Sequence, residues 1–244
     1  MIPCFSQPAF HLGSTVLYAH GILLALGTIL ASLLFFLRAK SLPNGQRTAI
    51  RMILILLPAS FLASHLMYSA LDDPSALFHF AGISSLGGII AAVLTFALYV
   101  HRSPQRWQWF DATVYPALCG AIVARLGCFL AHDRLGALTS FPLSVNCGDG
   151  PRYDLALFEI IFLAICLIAL LAADRRDSRR PDGATFSALV LVYGLFRLAL
   201  GQLADAQPLH QGLNAEQLAA LFLIVAAGVI PYQLSRTQSA QRTP

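Results

Sequence analysis

The chain has 244 residues, of which 57% are hydrophobic and 11% are charged. Soluble domains average about 45–50% apolar and about 25% charged residues, so this composition excludes a soluble globular protein. Its high hydropathy, with a mean of +0.68, also excludes a disordered chain. We therefore expect the chain to be embedded in a membrane.

Seven hydrophobic stretches predict membrane-spanning helices, because about 20 mostly apolar residues are needed to cross the hydrocarbon core. Some stretches are shorter and need flanking residues to reach the interface. The predicted spans are residues 17–37, 52–71, 83–100, 114–130, 155–173, 184–203 and 218–232. The period-2 alternation typical of strands is absent. We therefore predict an all-α integral membrane protein whose residues 1–244 form a single seven-helix domain.

Basic residues follow the odd-numbered spans and predict the topology. They are Arg38, Lys40, Arg47, Arg51, Arg102, Arg106, Arg175, Arg176, Arg179, Arg180, Arg236 and Arg242, twelve of the 16 Lys and Arg residues. The positive-inside rule then predicts an outside N-terminus and a cytoplasmic C-terminus. The longest loop, residues 132–154, is predicted on the outer face. The placement of these basic residues on the cytoplasmic side explains the net charge of +4, so binding to nucleic acid is not needed to account for it.

The N-terminal residues do not indicate a signal peptide, and the cysteines do not indicate a metal site. Residues 1–14 contain no Lys or Arg, which argues against a cleaved signal peptide. The cysteines are odd in number and lack C-x-x-C spacing, so neither a disulfide framework nor a zinc site is indicated. Pairing of Cys4 with Cys147, both predicted outside, stays open.

Two arginines lie inside predicted spans, Arg125 in the fourth and Arg197 in the sixth. A charge in the middle of a membrane costs at least ~2.5–3.5 kcal/mol and usually faces a partner or a wet cavity. One interpretation is pairing with Glu159 of the fifth span, which would fix helix packing. The other is an anion site, because arginine stays protonated and binds phosphate bidentately. We favour the anion site, with a phospholipid headgroup as its ligand.

His132 and Asp133 follow the fourth span at its outer end. Histidine can accept a proton near neutral pH, and an adjacent acid can orient it. The alternative is a pair that only caps the helix. His132 lies seven residues after Arg125, so both would share one face about 10 Å apart if the helix continued.

Other polar or small residues lie within the first three spans. His20 and His65 are candidates for helix–helix hydrogen bonds or for secondary site residues. Gly87 and Gly88 open the third span, where they allow close helix packing or hold an anion through backbone N–H groups. Close packing is the favoured interpretation.

Several segments resemble the prolipoprotein diacylglyceryl transferase family, and the similarity runs over nearly the whole chain. The matching segments are RLGCF at 125–129 with Gly136, YGLFR at 193–197, PRYDLALFE at 151–159, SSLGG at 84–88 and YAHG at 18–21. The family is a seven-helix enzyme of the bacterial inner membrane with its N-terminus outside. The resemblance therefore implies the same topology as the charges.

The resemblance implies an enzyme that moves the diacylglyceryl group of phosphatidylglycerol to the thiol of a lipobox cysteine in a preprolipoprotein signal peptide. It implies no cofactor and no metal. Arg125 and Arg197 would hold the lipid phosphate, and His132 would act as base with Asp133 as its orienting acid. The implied substrate-binding residues are Gly127, Gly136, Glu159, His20, His65, Gly87 and Gly88.

The chain departs from the family pattern at several positions. Leu86 stands in place of a histidine, and Gly201 and Ala204 stand in place of a glutamate and an arginine. His132 and Asp133 occupy positions where Gly-Glu is usual, and we expect them to take over the base role lost at Leu86. The alternative is a non-catalytic phospholipid-binding relative. A small transporter is less favoured, because no paired discontinuous helices are visible.

Overall fold

The computed structural model describes residues 1–13, 15–71, 74–78, 85–176, 180–205, 217–218, 220–225 and 227–228. The chain divides into two compact units. The first combines Met1–Leu34 with Thr113–Pro244, and the second is Phe35–Ala112. We call them the split unit and the central unit.

Six α-helices supply most of the described structure. They are α1 Ala19–Arg38, α2 Gly45–Leu71, α3 Ser85–Val100, α4 Arg106–Ala131, α5 Leu155–Arg176 and α6 Ala184–Leu200. Short 3-10 helices cover Ala39–Ser41, Pro74–Phe78 and Gly201–Leu203. These elements fit the predicted all-α membrane class, apart from the short strands described below.

Among the described residues, five helices are long and apolar enough to cross a membrane. They correspond to predicted spans one, two, four, five and six, whereas the third predicted span is the shorter apolar helix Gly87–Val100. The seventh predicted span, 218–232, is described only in pieces, residues 218, 220–225 and 227–228, and these are helical. Helix α4 begins at Arg106, before residue 114, where the fourth span was predicted to start. The additional residues include Trp107 and Trp109, and tryptophan is typical of the membrane interface.

Six short strands were not predicted. They are β1 Ile2–Pro3, β2 Ala9–Leu12, β3 Thr15–Tyr18, β4 Leu135–Leu138, β5 Val145–Asn146 and β6 Pro151–Asp154. Four form a sheet in the order β1-β5-β6-β4, and β2 pairs with β3 as an antiparallel hairpin. The prediction without strands was wrong here because runs of two to four residues are too short to show alternation.

A disulfide joins Cys4 to Cys147. Strand β1 pairs in parallel with β5, with Ile2 opposite Val145, which brings the two cysteines together. The sequence left the pairing of these two cysteines open, because the strand pairing, and not the spacing of the cysteines, sets the contact. The bond fixes the N-terminal segment to the loop between α4 and α5.

Glycines let helices approach closely within each unit. In the split unit, a Cβ on Gly120 of α4 would lie 2.6 Å from the carbonyl oxygen of Gly27 in α1. In the central unit, a Cβ on Gly87 of α3 would lie 2.7 Å from the carbonyl oxygen of Ala63 in α2. Because apolar side chains gain little by leaving lipid, such close backbone contact is a main source of helix association.

Candidate functional site

A single buried carboxylate, Glu159 of α5, lies at the centre of the candidate site and is 1% exposed. Arg125 of α4 places its Nε 2.9 Å from Oε2, and Arg197 of α6 places Nη1 3.3 Å from the same oxygen. Tyr193 donates its hydroxyl to Oε1 at 2.6 Å. Nη1 of Arg134 lies 3.9 Å from Oε2. Three arginines and a tyrosine therefore surround one acid.

The chain path explains this convergence. Tyr193 and Arg197 are four residues apart on α6, so they share one face of that helix. Arg134 lies between α4 and β4, and its carbonyl oxygen accepts the N–H of Leu155 at 3.0 Å. That bond attaches Arg134 to the start of α5, one turn before Glu159.

We call Arg125, Arg134, Arg197 and Glu159 the arginine cage. Three guanidinium groups converge on one carboxylate in this cage. The arginine side chains are only 14 to 19% exposed, so water screens their charges poorly. Burial, followed by repulsion from Arg197 and Arg125, lowers the pKa of Arg134. A partly accessible positive site of this kind favours an anionic ligand.

Helix α4 ends directly before His132, which has a positive φ of 47°. The N–H of His132 donates to the Phe129 carbonyl and the N–H of Asp133 donates to the Cys128 carbonyl, the bonds of a Schellman cap. The expectation that the helix carries Arg125 and His132 on one face is therefore wrong. The αL position normally takes glycine, and a side chain there costs roughly 1–2 kcal/mol.

The His132 side chain forms a buried pair with Asp154, with 2.9 Å between Nδ1 and Oδ2. Asp154 also caps α5, because its Oδ1 accepts the N–H groups of Ala156 and Leu157. Burial raises the pKa of Asp154, against the lowering effect of the bond from His132. This carboxylate therefore supports both the helix end and the imidazole.

The second ring nitrogen of His132, Nε2, is buried and has no hydrogen-bond partner among the described residues. The rings of Phe5 and Phe129 flank the imidazole, with centroids at 4.4 and 5.6 Å. An imidazole held at Nδ1 and unsatisfied at Nε2 can accept one proton from a ligand. A strained cap residue with this arrangement is a functional candidate on structural grounds.

The carboxylate paired with the His132 imidazole is that of Asp154 and not that of Asp133, so the expectation that Asp133 orients the ring is wrong. The Asp133 carboxylate lies 3.7 Å from Nδ1 of His20. The left-handed turn at His132 directs the Asp133 side chain towards His20. The fold also brings His20, Cys128 and Asp133 together, with donor atoms within 4.8 Å, in a group that could hold a metal ion. Arg125 Nη1 lies 3.6 Å from the Cys128 sulfur, and its charge opposes a divalent cation there.

The predicted site glycines of the split unit allow close backbone approach. A Cβ on Gly127 would lie 3.0 Å from the carbonyl oxygen of His20, and one on Gly136 would lie 2.2 Å from that of Leu203. The first contact packs α4 on α1. The second fixes β4 on the 3-10 helix that follows α6.

Three predicted site residues belong to the central unit. His65 is buried in α2, and its backbone carbonyl accepts the hydroxyl of Ser69 at 2.9 Å. A Cβ on Gly88 would lie 2.8 Å from Ser64 Oγ, and Gly87 likewise faces α2. These positions agree with the favoured interpretation of the two glycines as close packing between α2 and α3.

Comparison with known sequences identifies the family to which the chain belongs. The sequence model of the prolipoprotein diacylglyceryl transferase family matches residues 7–232. The chain belongs to this family. A relative from Dehalococcoides mccartyi is 28% identical over 245 residues, 93% of this chain and 92% of its own length.

Two further relatives extend the comparison within the transferase family. One from Clostridium tetani is 24% identical and covers 93% of this chain and 96% of its own length. One from Coxiella burnetii is 27% identical over 211 residues, 80% of each chain. All three relatives are named phosphatidylglycerol–prolipoprotein diacylglyceryl transferase.

In this member of the transferase family, three residues at the site were not predicted from the sequence. Asp154 lies directly before the apolar run of α5, a position typical of a helix N-cap. Tyr193 lies one turn before Arg197. Arg134 lies in the loop 132–154 that was predicted on the outer face, and nothing local in the sequence indicates its contact with Glu159.

Proposed function

We propose that the chain is a phosphatidylglycerol–prolipoprotein diacylglyceryl transferase that moves a diacylglyceryl group to the thiol of a lipobox cysteine. The observation that carries the proposal is the arginine cage, whose three guanidinium groups can bind a lipid phosphate. Membership of the family and the printed names of the relatives support the reaction. The required substrates are phosphatidylglycerol and the signal peptide of a preprolipoprotein, without a cofactor.

In this proposal Arg125 and Arg197 hold the phosphate of the lipid. Their contacts with Glu159, at 2.9 and 3.3 Å, fix both guanidinium groups before substrate binds. Preorganised charges in a water-poor site stabilise developing negative charge without reorganisation. Glu159 is accordingly a positioning residue, and Tyr193 supports its second oxygen.

His132 is the proposed base. A free thiol has a pKa near 8.5 and is mostly protonated at neutral pH, so the acceptor must become a thiolate. Nε2 of His132 takes the thiol proton, while Asp154 holds Nδ1–H and thereby selects the tautomer. Asp133 and His20 lie beside each other and are proposed to contact the incoming substrate.

The transfer step balances as a displacement at carbon. The thiolate sulfur forms a bond to the glycerol carbon of the lipid, and the bond from that carbon to the phosphate oxygen breaks. The electron pair leaves with the oxygen, so glycerol phosphate departs as a phosphate monoester. The protonated His132 then returns its proton to water.

The remaining glycines and His65 are proposed as secondary substrate contacts. Gly127 and Gly136 would act by letting neighbouring backbone pack closely beside the site, because their Cβ positions face the carbonyl oxygens of His20 and Leu203. His65, Gly87 and Gly88 are also proposed as substrate contacts, on the resemblance to the family alone.

We further propose a single domain of seven spans in the bacterial inner membrane, with an outside N-terminus and a cytoplasmic C-terminus. The distribution of basic residues supports this orientation. The disulfide between Cys4 and Cys147 supports it independently, because such bonds persist in oxidising compartments outside the cytoplasm.

A mass measurement tests the proposed reaction. The purified chain in detergent receives phosphatidylglycerol and a lipobox peptide, and the peptide mass is followed beside an Arg125→Ala variant. We expect a diacylglyceryl increase with the wild type and none with the variant. An unmodified peptide in the presence of bound lipid would instead favour the non-catalytic lipid-binding relative, for which the replacements at Leu86, Gly201 and Ala204 argue.

A further inference from the structure

Three side chains able to ligate a metal meet at the C-terminal end of α4. Their donor atoms are Nδ1 of His20, the sulfur of Cys128 and a carboxylate oxygen of Asp133, which lie within 4.8 Å of one another. An ion midway between two of these atoms would be no more than half of 4.8 Å from either. Because a zinc–sulfur bond is about 2.3 Å long, this spacing fits a coordinated metal ion.

Close packing at Gly127 explains why the three side chains meet. A Cβ at this position would lie 3.0 Å from the carbonyl oxygen and 3.1 Å from the Cα of His20, so α1 packs directly on the end of α4. Cys128 is the next residue of α4, and Asp133 follows the left-handed turn at His132. Two helices and the turn after α4 therefore supply one ligand each.

The imidazole of His20 has a nitrogen that such an ion can use. Its Nδ1 is buried and has no hydrogen-bond partner among the described residues, and Oδ2 of Asp133 is 3.7 Å away, beyond hydrogen-bond distance. A neutral imidazole with its proton on Nε2 presents a lone pair at Nδ1, which is the form that ligates metals. The side chains of His20 and Asp133 are 35 and 38% exposed, so an ion can reach them.

The charge of Arg125 selects the kind of ion. Nη1 of Arg125 lies 3.6 Å from the sulfur of Cys128. When a monovalent cation binds this sulfur, the thiol proton leaves to water and the metal–sulfur bond replaces the S–H bond, so the charge beside Arg125 stays the same. A divalent cation would add one positive charge there and is repelled. Thiolate ligands also select soft ions such as Cu⁺.

We propose that Cys128, His20 and Asp133 form a binding site for a soft monovalent metal cation, the class to which Cu⁺ and Ag⁺ belong. Cys128 and His20 supply the principal bonds, and Asp133 supplies a weaker oxygen contact. Because His20 and Asp133 are also the proposed contacts of the incoming substrate, the ion and the lipobox peptide exclude each other. This exclusion rests on the proposed function, whereas binding of the ion does not.

Calorimetric titration with silver ion, in detergent and without chloride, tests the site. Cys119→Ser with Cys166→Ser gives a background in which Cys128 is the remaining free cysteine, since Cys4 is in the disulfide. We expect one silver ion per chain in this background and none after Cys128→Ser. His20→Gln should weaken silver binding by about tenfold or more, because loss of even an outer partner of a metal ligand costs about 10–100-fold.

The matched control is His101→Gln, at an exposed histidine of the central unit, which should leave the silver affinity unchanged. Equal silver affinities of His20→Gln and the background would show binding to a lone thiol and would overturn the site. If His20→Gln does not fold, His20→Asn decides by the same comparison.

Zinc ion tests the effect of charge. Zn²⁺ should bind the same background at least about tenfold more weakly than Ag⁺, because it brings an additional positive charge close to Arg125. Arg125→Gln should raise the affinity for zinc and change that for silver less than about threefold. Zinc bound as tightly as silver would overturn the selection of a monovalent ion.

A lipobox peptide with serine in place of its cysteine tests the exclusion, because this peptide has no thiol that could bind silver. With silver at ten times its Kd, the apparent Kd of the peptide should rise about tenfold, as expected for two ligands that compete. The Cys128→Ser variant should bind the peptide equally with and without silver.

These results separate the inference from the proposed function. Unchanged peptide affinity in silver-saturated protein overturns the exclusion. A silver-free protein that neither binds nor modifies lipobox peptides overturns the proposed function, and the calorimetric comparison of His20→Gln with the background still decides the metal site.

Discussion

The two units use buried polar groups differently. In the split unit the buried acids Asp154 and Glu159 bind partners from distant parts of the chain, including His132 and Arg197. In the central unit the buried polar side chains among the described residues are Ser64, His65 and Ser69. Buried carboxylates with partners from distant parts of the chain therefore mark the chemistry, whereas the described buried polar side chains of the central unit all belong to α2.

The glycines also differ in their roles between the two units. Gly87 and Gly88 of the central unit are explained by close contact with α2. The site of the split unit uses glycine too, at Gly127 and Gly136, but there the contacts fix the elements that carry the arginines and His132. A glycine motif alone thus says little about function. The charges beside it are the informative signal.

The largest expected effect is on catalysis at His132. His132→Asn should lower kcat by about 10²–10⁴-fold, because it removes the base while asparagine still tolerates the left-handed conformation. Asp154→Asn should also lower kcat, since an asparagine keeps the cap of α5 and loses the charge that orients the imidazole. Initial rates of peptide modification measure both effects.

The matched control is His101→Asn in the central unit, an exposed histidine bonded to the Leu98 carbonyl. It should retain the wild-type rate. Equal losses at His101 and His132 would remove the distinction between the two units.

The next effect is on stability at the arginine cage. Glu159→Gln should lower the free energy of unfolding by about 3–5 kcal/mol, because three buried guanidinium groups lose their counter-charge. Ser69→Ala in the central unit removes only a hydroxyl bonded within α2 and should cost about 1 kcal/mol. Thermal unfolding in detergent compares them, and a Glu159→Gln variant as stable as Ser69→Ala would contradict the cage.

Loss of the disulfide should have a smaller effect. Cys4→Ser should cost about 2–4 kcal/mol, because Cys4 and Cys147 close a loop of 143 residues. It should also lower activity, since Phe5 next to Cys4 packs on the His132 ring. The control is Cys166→Ser, a free cysteine. A melting temperature that reductant leaves unchanged would speak against this bond.

The smallest effects are those of methyl groups on glycine. Gly27→Ala should cost about 1–3 kcal/mol, since its Cβ would lie 2.5 Å from the Gly120 carbonyl oxygen. Gly21→Ala in the same helix meets nothing within 4 Å and should stabilise by about 0.5–1 kcal/mol. Gly87→Ala should resemble Gly27→Ala. Equal melting temperatures for Gly21→Ala and Gly27→Ala would refute the close helix contact.

Composition and charge were enough to predict the membrane-spanning helices, because these depend on properties averaged over many residues. Five predicted spans correspond to helices long and apolar enough to cross a membrane, and Arg125 and Arg197 pair with Glu159, which the sequence analysis gave as one of two interpretations. The helices could be predicted because a lipid environment imposes length and apolarity on a helix regardless of its neighbours.

Details that depend on a single backbone torsion or on long-range pairing could not be predicted. The partner of His132 is Asp154 because α4 ends in a left-handed turn at His132 itself, and that turn directs Asp133 towards His20. The disulfide required the parallel pairing of β1 with β5. Glycine is the usual residue for such a turn, so a histidine at the position gave no signal for the end of α4.

The most direct test follows both products of one reaction. Phosphatidylglycerol and a lipobox peptide are incubated with the chain, and the glycerol phosphate released is quantified by phosphorus NMR against the thioether peptide measured by mass. The account predicts equal amounts of the two products with the wild type and neither product with Arg125→Gln. A peptide that gains a phosphate-containing group, or glycerol phosphate released without thioether, would contradict it.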